Sequence, residues 1–429
     1  MKIAIVSAVY PPEPMVDAQT SSQLAEELAR KGHSVQVYAP FPNRPAGKLF
    51  DGYRRTLFAT STVSPECTLT HCLSSVSPKS TMPSRFVENL SFGVTAGLRL
   101  LCDERPDVIY SNTWPIIASG IVAIIAVLRR IPLVLSVQDA YPESLASQKR
   151  MKNSGWCYKL VRQCDRMISH SAKEVIVISQ RFRELYESDR GVDPAHLHMV
   201  LNWSDEKLFV QDRLAAALFR QKLGIPKDAF VAVCAGNIGV ASDAEILVDA
   251  FARLKDRSHV YLLLAGDGAR LGVCREKVEK EQLDRVIIHS PWKTDETAQV
   301  LQMADVLMLP TRGRQSLASI PSKLIGYLLS ARPVIAGVLP ESDTATTILG
   351  AGAGWIVDPD SVGQMVEAIS LASEESEERL SRMGAAGQRY AMQHLTRASN
   401  LPRVIAIVEN AASVQSGGER RTPSLRGNT

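Results

Sequence analysis

S-L-A-S-I-P-S-K-L-I-G-Y-L-L-S-A-R-P-V-I-A-G, residues Ser316 to Gly337, decides the class of fold. An apolar strand, Val306 to Leu309, precedes it across a polar loop from Thr311 to Gln315. Ser319 and Ser322 flank Pro321, a combination that opens helices. Proline suits the first helical position, and a serine hydroxyl accepts an otherwise unpaired backbone N–H. Leu324, Ile325, Leu328 and Leu329 supply the helix's apolar side, and Arg332-Pro333 stops it. A second strand, Val334 to Val338, follows at once. This is a strand–loop–helix–strand unit whose helix N-terminus opens at a strand end, where exposed N–H groups favour an anion. Lys323, in the first turn, adds a mobile positive charge. The expected occupant is a nucleotide diphosphate.

Working outward, the same alternation fills both halves of the chain. Lys2 to Ala8 reads as a strand, Tyr10 to Asp17 as a loop, and Ala18 to Lys31 as a helix with Leu24, Ala25, Leu28 and Ala29 at helical spacing. Gly32-His33 ends that helix and Ser34 to Ala39 is the next strand, so the sheet is parallel with helices on both faces. Strands at Asp107–Ser111, Leu133–Val137, Glu174–Ile178 and His198–Leu201 continue the series. Asn202-Trp203-Ser204-Asp205 marks a junction. Beyond it, strands at Phe230–Ala235, Val260–Ala265 and Val286–His289 lead back to the opening unit. The expected division is an N-terminal Rossmann-like domain over 1–205, a C-terminal one over 206–385, crossover helices over 386–412 and a disordered tail over 413–429.

Composition limits the partners. The chain of 429 residues has room for two sizeable cores, and 45% hydrophobic with 22% charged residues is ordinary for a globular protein. A net charge of +4 is too mild to argue for nucleic acid. Seven cysteines lie singly, and the nearest pair, Cys67 and Cys72, has no zinc or redox spacing, which fits reduced thiols in a cytoplasm. The start, M-K-I-A-I-V-S-A-V-Y-P-P, lacks the apolar core of a secretory signal, and the apolar run Pro115–Leu128 is shorter than the ~20 residues a spanning helix needs. Between Arg44 and Arg99, seven basic residues face three acids. R-F-V-E-N-L-S-F-G-V-T-A-G-L-R-L-L within it reads either as a membrane-surface helix or as a domain helix with a solvated edge.

Several motifs fall away. G-D-G-A-R-L-G at 266–272 has the wrong spacing for a dinucleotide fingerprint, and Val286–His289 does not end in the acid that fingerprint wants. Asp358-Pro359-Asp360 precedes a helix and reads as a cap; G-A-G-A-G at 350–354 reads as a turn. No metal-ligand spacing, nucleophile elbow or P-loop is present, so neither a metal nor a cofactor is expected. A constellation remains. Gly236, Asn237 and Gly239 form a glycine loop after a strand, with Gly268 after the next, where backbone approaches a phosphate closely; a tight strand–helix turn fits these glycines equally. Ser319, Pro321, Ser322 and Lys323 read as the second anion element, while Lys323 taken alone also fits a solvated lysine on a helix surface. The first domain offers the loop with Pro12, Glu13 and Asp17 on the acceptor side, and Asp139 and Glu143 just beyond a strand's carboxyl end; either of the last two also fits a plain helix cap.

These segments in this order carry a family resemblance. Y-P-P-E-P, L-A-E-E-L-A-R-K-G-H-S-V, R-P-D-V-I-Y-S-N-T-W-P, V-Q-D-A-Y-P-E-S, N-W-S-D, A-G-N-I-G, G-D-G-A, A-D-V-L-M-L-P and I-P-S-K-L-I-G-Y resemble the group-4, GT-B-fold glycosyltransferases that build bacterial surface polysaccharides, to about residue 410. The resemblance implies two Rossmann-like domains with a cleft between them, C-terminal helices crossing back, retention of anomeric configuration and no metal requirement. It implies a nucleotide-diphosphate sugar donor, UDP- in preference to GDP-, and a lipid-linked or saccharide acceptor. It places the enzyme in the cytoplasm, with peripheral contact at the inner membrane. Asp139, Glu143 and Lys323 are then the catalytic candidates. One departure stands out: many members carry two glutamates eight positions apart, and here those positions hold Ala318 and Gly326. Glu341 is the candidate to take over a ribose or sugar contact. The alternatives are an inactive nucleotide-sugar-binding scaffold and a GT-B-shaped sugar-nucleotide epimerase.

Overall fold

The structure, a computed structural model, describes residues 1–44, 46–78, 81–112, 116–147, 151–152, 155–313, 317 and 321–413. Two compact units divide it: Met1–Pro142 with Met151–Asn202 and the chain from Asn400, and Glu143–Arg150 with Trp203–Ser399. The sequence reading divides the domains at 205/206 and gives 386–412 to the crossover; the compact units divide at Asn202/Trp203 and Ser399/Asn400.

The first unit is built on an eight-stranded sheet. Its strands are β1 (Lys2–Ser7), β2 (Ser34–Pro40), β3 (Phe58–Ser64), β4 (Cys67–Cys72), β5 (Val108–Asn112), β6 (Leu133–Val137), β7 (Glu174–Val177) and β8 (Leu197–Met199). They lie in the order β3-β4-β2-β1-β5-β6-β7-β8. Every neighbouring pair is parallel except β3 with β4. Strands buried on both faces, such as K-I-A-I-V-S and V-I-Y-S-N, need helices above and below. Those are α1 (Val16–Arg30), α2 (Met82–Cys102), α3 (Ile116–Leu128), α5 (Trp156–Ser171) and α6 (Gln180–Ser188), with α15 (Arg397–Ser413) returning to this unit from Asn400. The short α4 (Glu143–Ser147) belongs with the second unit. The β3–β4 hairpin lies where the sequence reading finds no strand. Most of β3 is solvent-exposed, so it carries no alternation to read.

The second unit has a six-stranded, wholly parallel sheet in the order β11-β10-β9-β12-β13-β14. These strands are β9 (Phe230–Ala235), β10 (Val260–Ala265), β11 (Val286–His289), β12 (Val306–Pro310), β13 (Val334–Gly337) and β14 (Gly354–Val357). Around them pack α7 (Arg213–Lys222), α8 (Glu245–Arg253), α9 (Leu271–Lys280), α10 (Thr297–Gln302), α11 (Lys323–Leu329), α12 (Asp343–Gly350), α13 (Val362–Glu374) and α14 (Glu377–His394). One core joins Ala232, Cys234, Leu262, Leu264 and Met308 of the sheet to Leu247, Phe251, Met365 and Ile369 of the helices. The order β10-β9-β12 reverses at β9. Parallel sheets leave a crevice at the carboxyl ends of the two strands that diverge there, and ligands bind in it.

Candidate active site

The loops after β9 and β10 meet at that crevice. Gly236 N donates to Ala265 O at 2.8 Å and Ile238 N to Asp267 O at 2.8 Å, while Arg270 N returns to Ile238 O at 3.0 Å. The approach is backbone to backbone. A β-carbon at Gly266 would stand 1.9 Å from Gly236 O, and one at Gly268 2.3 Å from Ile238 O. Asn237 is exposed at the tip, its Oδ1 2.7 Å from where a Gly268 β-carbon would be. Gly236 itself has φ +101°, a left-handed conformation that disfavours any side chain.

Lys323 reaches this loop from α11. Its Cε lies 3.2 Å from the position of a Gly236 β-carbon, and its Nζ is buried with no hydrogen-bond partner among the described residues. A buried ammonium left unpaired is costly. One turn on, Tyr327 is buried; its hydroxyl accepts from Ala235 N at 2.9 Å and donates to Ala235 O at 3.1 Å. The helix therefore pins the end of β9 with one side chain and covers the next residue, Gly236, with another.

The helix start corrects part of the sequence reading. Ser322 precedes α11 with φ −59° and ψ −24°, and its hydroxyl caps nothing. A capping serine needs extended backbone to turn its oxygen onto the next N–H groups, and Ser322 is already helical. Pro321 is half-buried, its carbonyl accepting from Leu324 N at 3.0 Å. Ser319 and Ala318 lie outside the described residues. Gly326 faces apolar side chains: a β-carbon there would meet the Phe209 ring at 3.3 Å and Leu301 Cδ1 at 3.6 Å. Glu341 is exposed in the turn before α12, where Ser342 accepts from Ala345 N at 3.2 Å.

Residues that sequence reasoning missed frame the loop. Arg312, just beyond β12, donates from Nη2 to Asp243 Oδ1 at 2.7 Å, and its backbone N bonds Ala241 O at 3.3 Å. Arg270 grips Glu245 with two bonds, 2.6 and 2.8 Å, which holds that carboxyl below its ordinary range. Only the polar character of T-R-G-R after a buried strand hinted at Arg312.

In the first unit, Asp139 follows β6 and Asp17 opens α1. Burial pushes the Asp139 carboxyl up to about 7, and the charge of Asp17 adds to the shift. Asp17 is pushed up to about 6 by burial, against the pull of Arg44. These two acids thus sit in one electrostatic environment. Glu13 is buried and already engaged: its Oε1 accepts from Asn43 N and Arg44 N, both at 2.8 Å, and clamps two loops together. Pro12 is exposed after a cis bond. Glu143 begins α4 and falls with the other unit. Behind Asp139, a small cavity is lined also by Tyr141, Asp165 and Tyr186. The fully buried Arg190 donates to Asp165 Oδ2 at 2.7 Å and to Tyr141 O at 2.6 Å, fixing the loop that bears Asp139. Among the described residues, no three His, Cys, Asp or Glu side chains are placed to hold a metal ion.

Known proteins share this pattern. Residues 18–203 match the family model described as a glycosyl transferase 4-like domain, and residues 229–374 match the glycosyl transferases group 1 model. The putative colanic acid biosynthesis glycosyl transferase WcaI of Escherichia coli (strain K12) is 24% identical over 385 residues, 87% of this chain and 92% of that one. The probable glycosyltransferase WbjE of Pseudomonas aeruginosa is 24% identical over 308 residues, 71% of this chain and 75% of that one. In fold, the chain is similar to a sucrose-phosphate synthase from Thermosynechococcus elongatus, with TM-score 0.74, 18% identity and coverage of 96% and 100%. It is also similar to Anabaena HepE in complex with UDP and glucose, with TM-score 0.68, 16% identity and coverage of 97% and 99%.

Proposed function

The chain belongs to the group-4 glycosyltransferases of GT-B fold, and from that premise we propose that it is a retaining transferase of surface-polysaccharide biosynthesis. It moves a sugar from a nucleotide-diphosphate sugar, UDP- in preference to GDP-, to a lipid-linked or saccharide acceptor. Its place of action is the cytoplasmic face of the inner membrane. The observation that carries the reading is the Lys323 Nζ, buried against the Gly236 loop with no hydrogen-bond partner among the described residues. WcaI, named for colanic acid biosynthesis, supports the pathway class, and the HepE complexes with UDP and UDP-glucose support uridine.

When the sugar leaves, negative charge grows on the terminal phosphate of the nucleotide. Lys323 and the glycine-loop N–H groups neutralise it, the kind of stabilisation that is usually the largest catalytic term. Asp139 takes the proton of the attacking hydroxyl, its raised pKa suiting a base near neutral pH. Asp17 and Glu143 orient the acceptor or the sugar. Gly268 and Asn237 border the phosphates, and Glu341 is the candidate for a ribose contact.

Thermal melting with a panel of nucleoside diphosphates and their sugars tests this. A ligand at 100 times its Kd stabilises by about 2.7 kcal/mol. UDP and one UDP-sugar should raise the Tm of the wild type and leave Lys323→Met unmoved. No shift with any diphosphate, or an equal shift in Lys323→Met, overturns the donor site. A scaffold is the second reading, favoured by Gly326, which offers no carboxylate for the donor. A scaffold would bind the nucleotide sugar yet never release free nucleotide from it.

A further inference from the structure

Asp139 is placed by residues far along the chain. It lies in the loop 138–142 that leaves β6. Gln138, just before it, is held by two bonds: its Nε2 donates to Ser136 Oγ at 3.1 Å, and its Oε1 accepts from Asn202 Nδ2 at 2.7 Å. Two residues after it, Tyr141 O accepts from Arg190 Nη2 at 2.6 Å. The chain is thus tied on both sides of the carboxyl, and the second tie is a fully buried guanidinium.

That guanidinium is itself fixed by carboxylates. Arg190 Nε donates to Asp165 Oδ2 at 2.7 Å, and its Nη1 to Asp189. Asp165, on α5, also accepts from the Tyr186 hydroxyl of α6 at 3.1 Å. Asp189 is shared with Arg162, whose Nε donates to it at 2.8 Å. The backbone is held as well, since Arg190 O meets His170 Nε2 at 2.8 Å. One planar fork therefore joins α5, the end of α6 and the β6 loop. A lysine, being a point charge, does not hold three such directions at once.

Stability alone does not call for this arrangement. Burying an ion pair is costly in desolvation, and well-packed apolar side chains of similar volume often serve a fold as well or better. The charges are also matched so that the clamp leaves its neighbour's proton affinity high. Burial and the like charge of Asp17 both raise the Asp139 carboxyl, and the cation of Arg190 is engaged by Asp165 and Asp189. The other ionisable groups lining the cavity behind Asp139 are Tyr141, Asp165 and Tyr186. Arg190 holds the loop without making Asp139 a poorer base.

We propose that Arg190 is a positioning residue for the transfer reaction: through Tyr141 O it holds the loop that aims the Asp139 carboxyl, while Asp165 and Tyr186 hold Arg190. The proposal rests on the role given to Asp139 above. Its leverage is geometric, because misplacing a reacting group by about 1 Å can cost on the order of 10²-fold in rate.

A kinetic cycle with Arg190→Lys and Asp139→Asn tests this on the full chain. Turnover is read as UDP released from the UDP-sugar giving the largest Tm shift, with water standing in for the acceptor. Arg190→Lys keeps a cation for Asp165 and gives up the reach to Tyr141 O. In the wild type it should lower kcat at least ten-fold, with donor KM within two-fold. In Asp139→Asn the same change should lower kcat less than two-fold, since a residue acting through Asp139 has nothing left to act on. A merely structural arginine would lower kcat by the same factor on both backgrounds, and that equality overturns the proposal. So does an unchanged kcat in Arg190→Lys. Arg190→Gln with Asp165→Asn removes the buried pair together, strands no charge at Asp165, and repeats the cycle if the lysine variant does not fold. Asp139→Asn with wild-type turnover removes the base and the clamp with it; a large loss in Asp139→Asn beside a harmless Arg190→Lys removes the clamp alone.

Discussion

Lys323 lies across Gly236 so closely that a β-carbon on residue 236 would stand 3.2 Å from the lysine's Cε. A strand-end glycine and a helical lysine thereby form one element. Gly236→Ala should cost about 1–2 kcal/mol, because the residue has φ +101° and alanine resists that region. It should also push the lysine chain aside. The check is nucleotide-induced melting: the variant should lose most of the UDP-dependent Tm shift while its ligand-free Tm falls by a few degrees.

Lys323→Met separates stability from function at the same place. The Nζ is buried and unpaired among the described residues, a burden on the empty protein. Methionine keeps much of the volume and removes the charge. The ligand-free Tm should hold or rise, while turnover falls by about 10²–10³-fold, the usual loss on deleting a charge-stabilising donor. A lower Tm with unchanged turnover would make Lys323 a structural residue.

Tyr327→Phe probes the support beneath that lysine. The hydroxyl bonds both polar groups of Ala235, which are otherwise buried. Losing it leaves them unsatisfied, at about 1–3 kcal/mol. Urea titration should show the loss. Donor KM should rise as well, because Ala235 leads directly into Gly236.

The parallel architecture and the crevice at β9 were legible because buried strands and amphipathic helices leave periods in the chain. Lys323 and Gly236, proposed above as an anion site, were picked out by residue type, and the structure places the two side by side. What was illegible depends on distance in sequence. That Glu13 is consumed by the N–H groups of Asn43 and Arg44 appears only when two loops fold together. Ser322 looked like a cap by residue type, yet capping is decided by its backbone angles. The apolar outer face of α2, with Phe86, Leu90 and Val94 exposed, was visible as composition, but which side of the helix faces water is a property of the packing on α3.

Asp139→Asn tests both a titration and a role. The carboxyl is raised from an ordinary 3.8 to about 7. Below pH 4 the acid is protonated in both folded and unfolded chains, so it adds no pH-dependent cost. Between pH 4 and 7 the unfolded chain ionises first, and stability falls as pH rises, levelling off above 7. Asparagine removes that loss. The variant should match the wild type near pH 4 and exceed it by on the order of 4 kcal/mol at pH 8. Turnover of the wild type should climb with pH through about 7, the carboxylate being the active form of a base. The asparagine variant should lack that limb. A variant retaining wild-type turnover and the same limb would take Asp139 out of the reaction.

Gly326→Glu places a carboxylate at the position where the family resemblance leads one to expect it. In this chain the added side chain would start towards Phe209, whose Cε1 and Cζ stand 3.3 Å from the new β-carbon, with Leu301 Cδ1 at 3.6 Å. Phe209 is itself buried, so it has little room to give. A glutamate pressed into that contact pays both for overpacking and for burying a charge beside an aromatic ring, about 3 kcal/mol or more. Donor affinity should therefore not improve. Removing the obstruction isolates the cause: Gly326→Glu combined with Phe209→Ala should recover part of the lost stability relative to Gly326→Glu alone, by about 1 kcal/mol or more. Calorimetry on the two single variants and the double variant measures this coupling. Strict additivity of the two substitutions would mean that Phe209 does not dictate glycine at 326, and a tighter donor Kd in Gly326→Glu would return that position to the sugar-binding site.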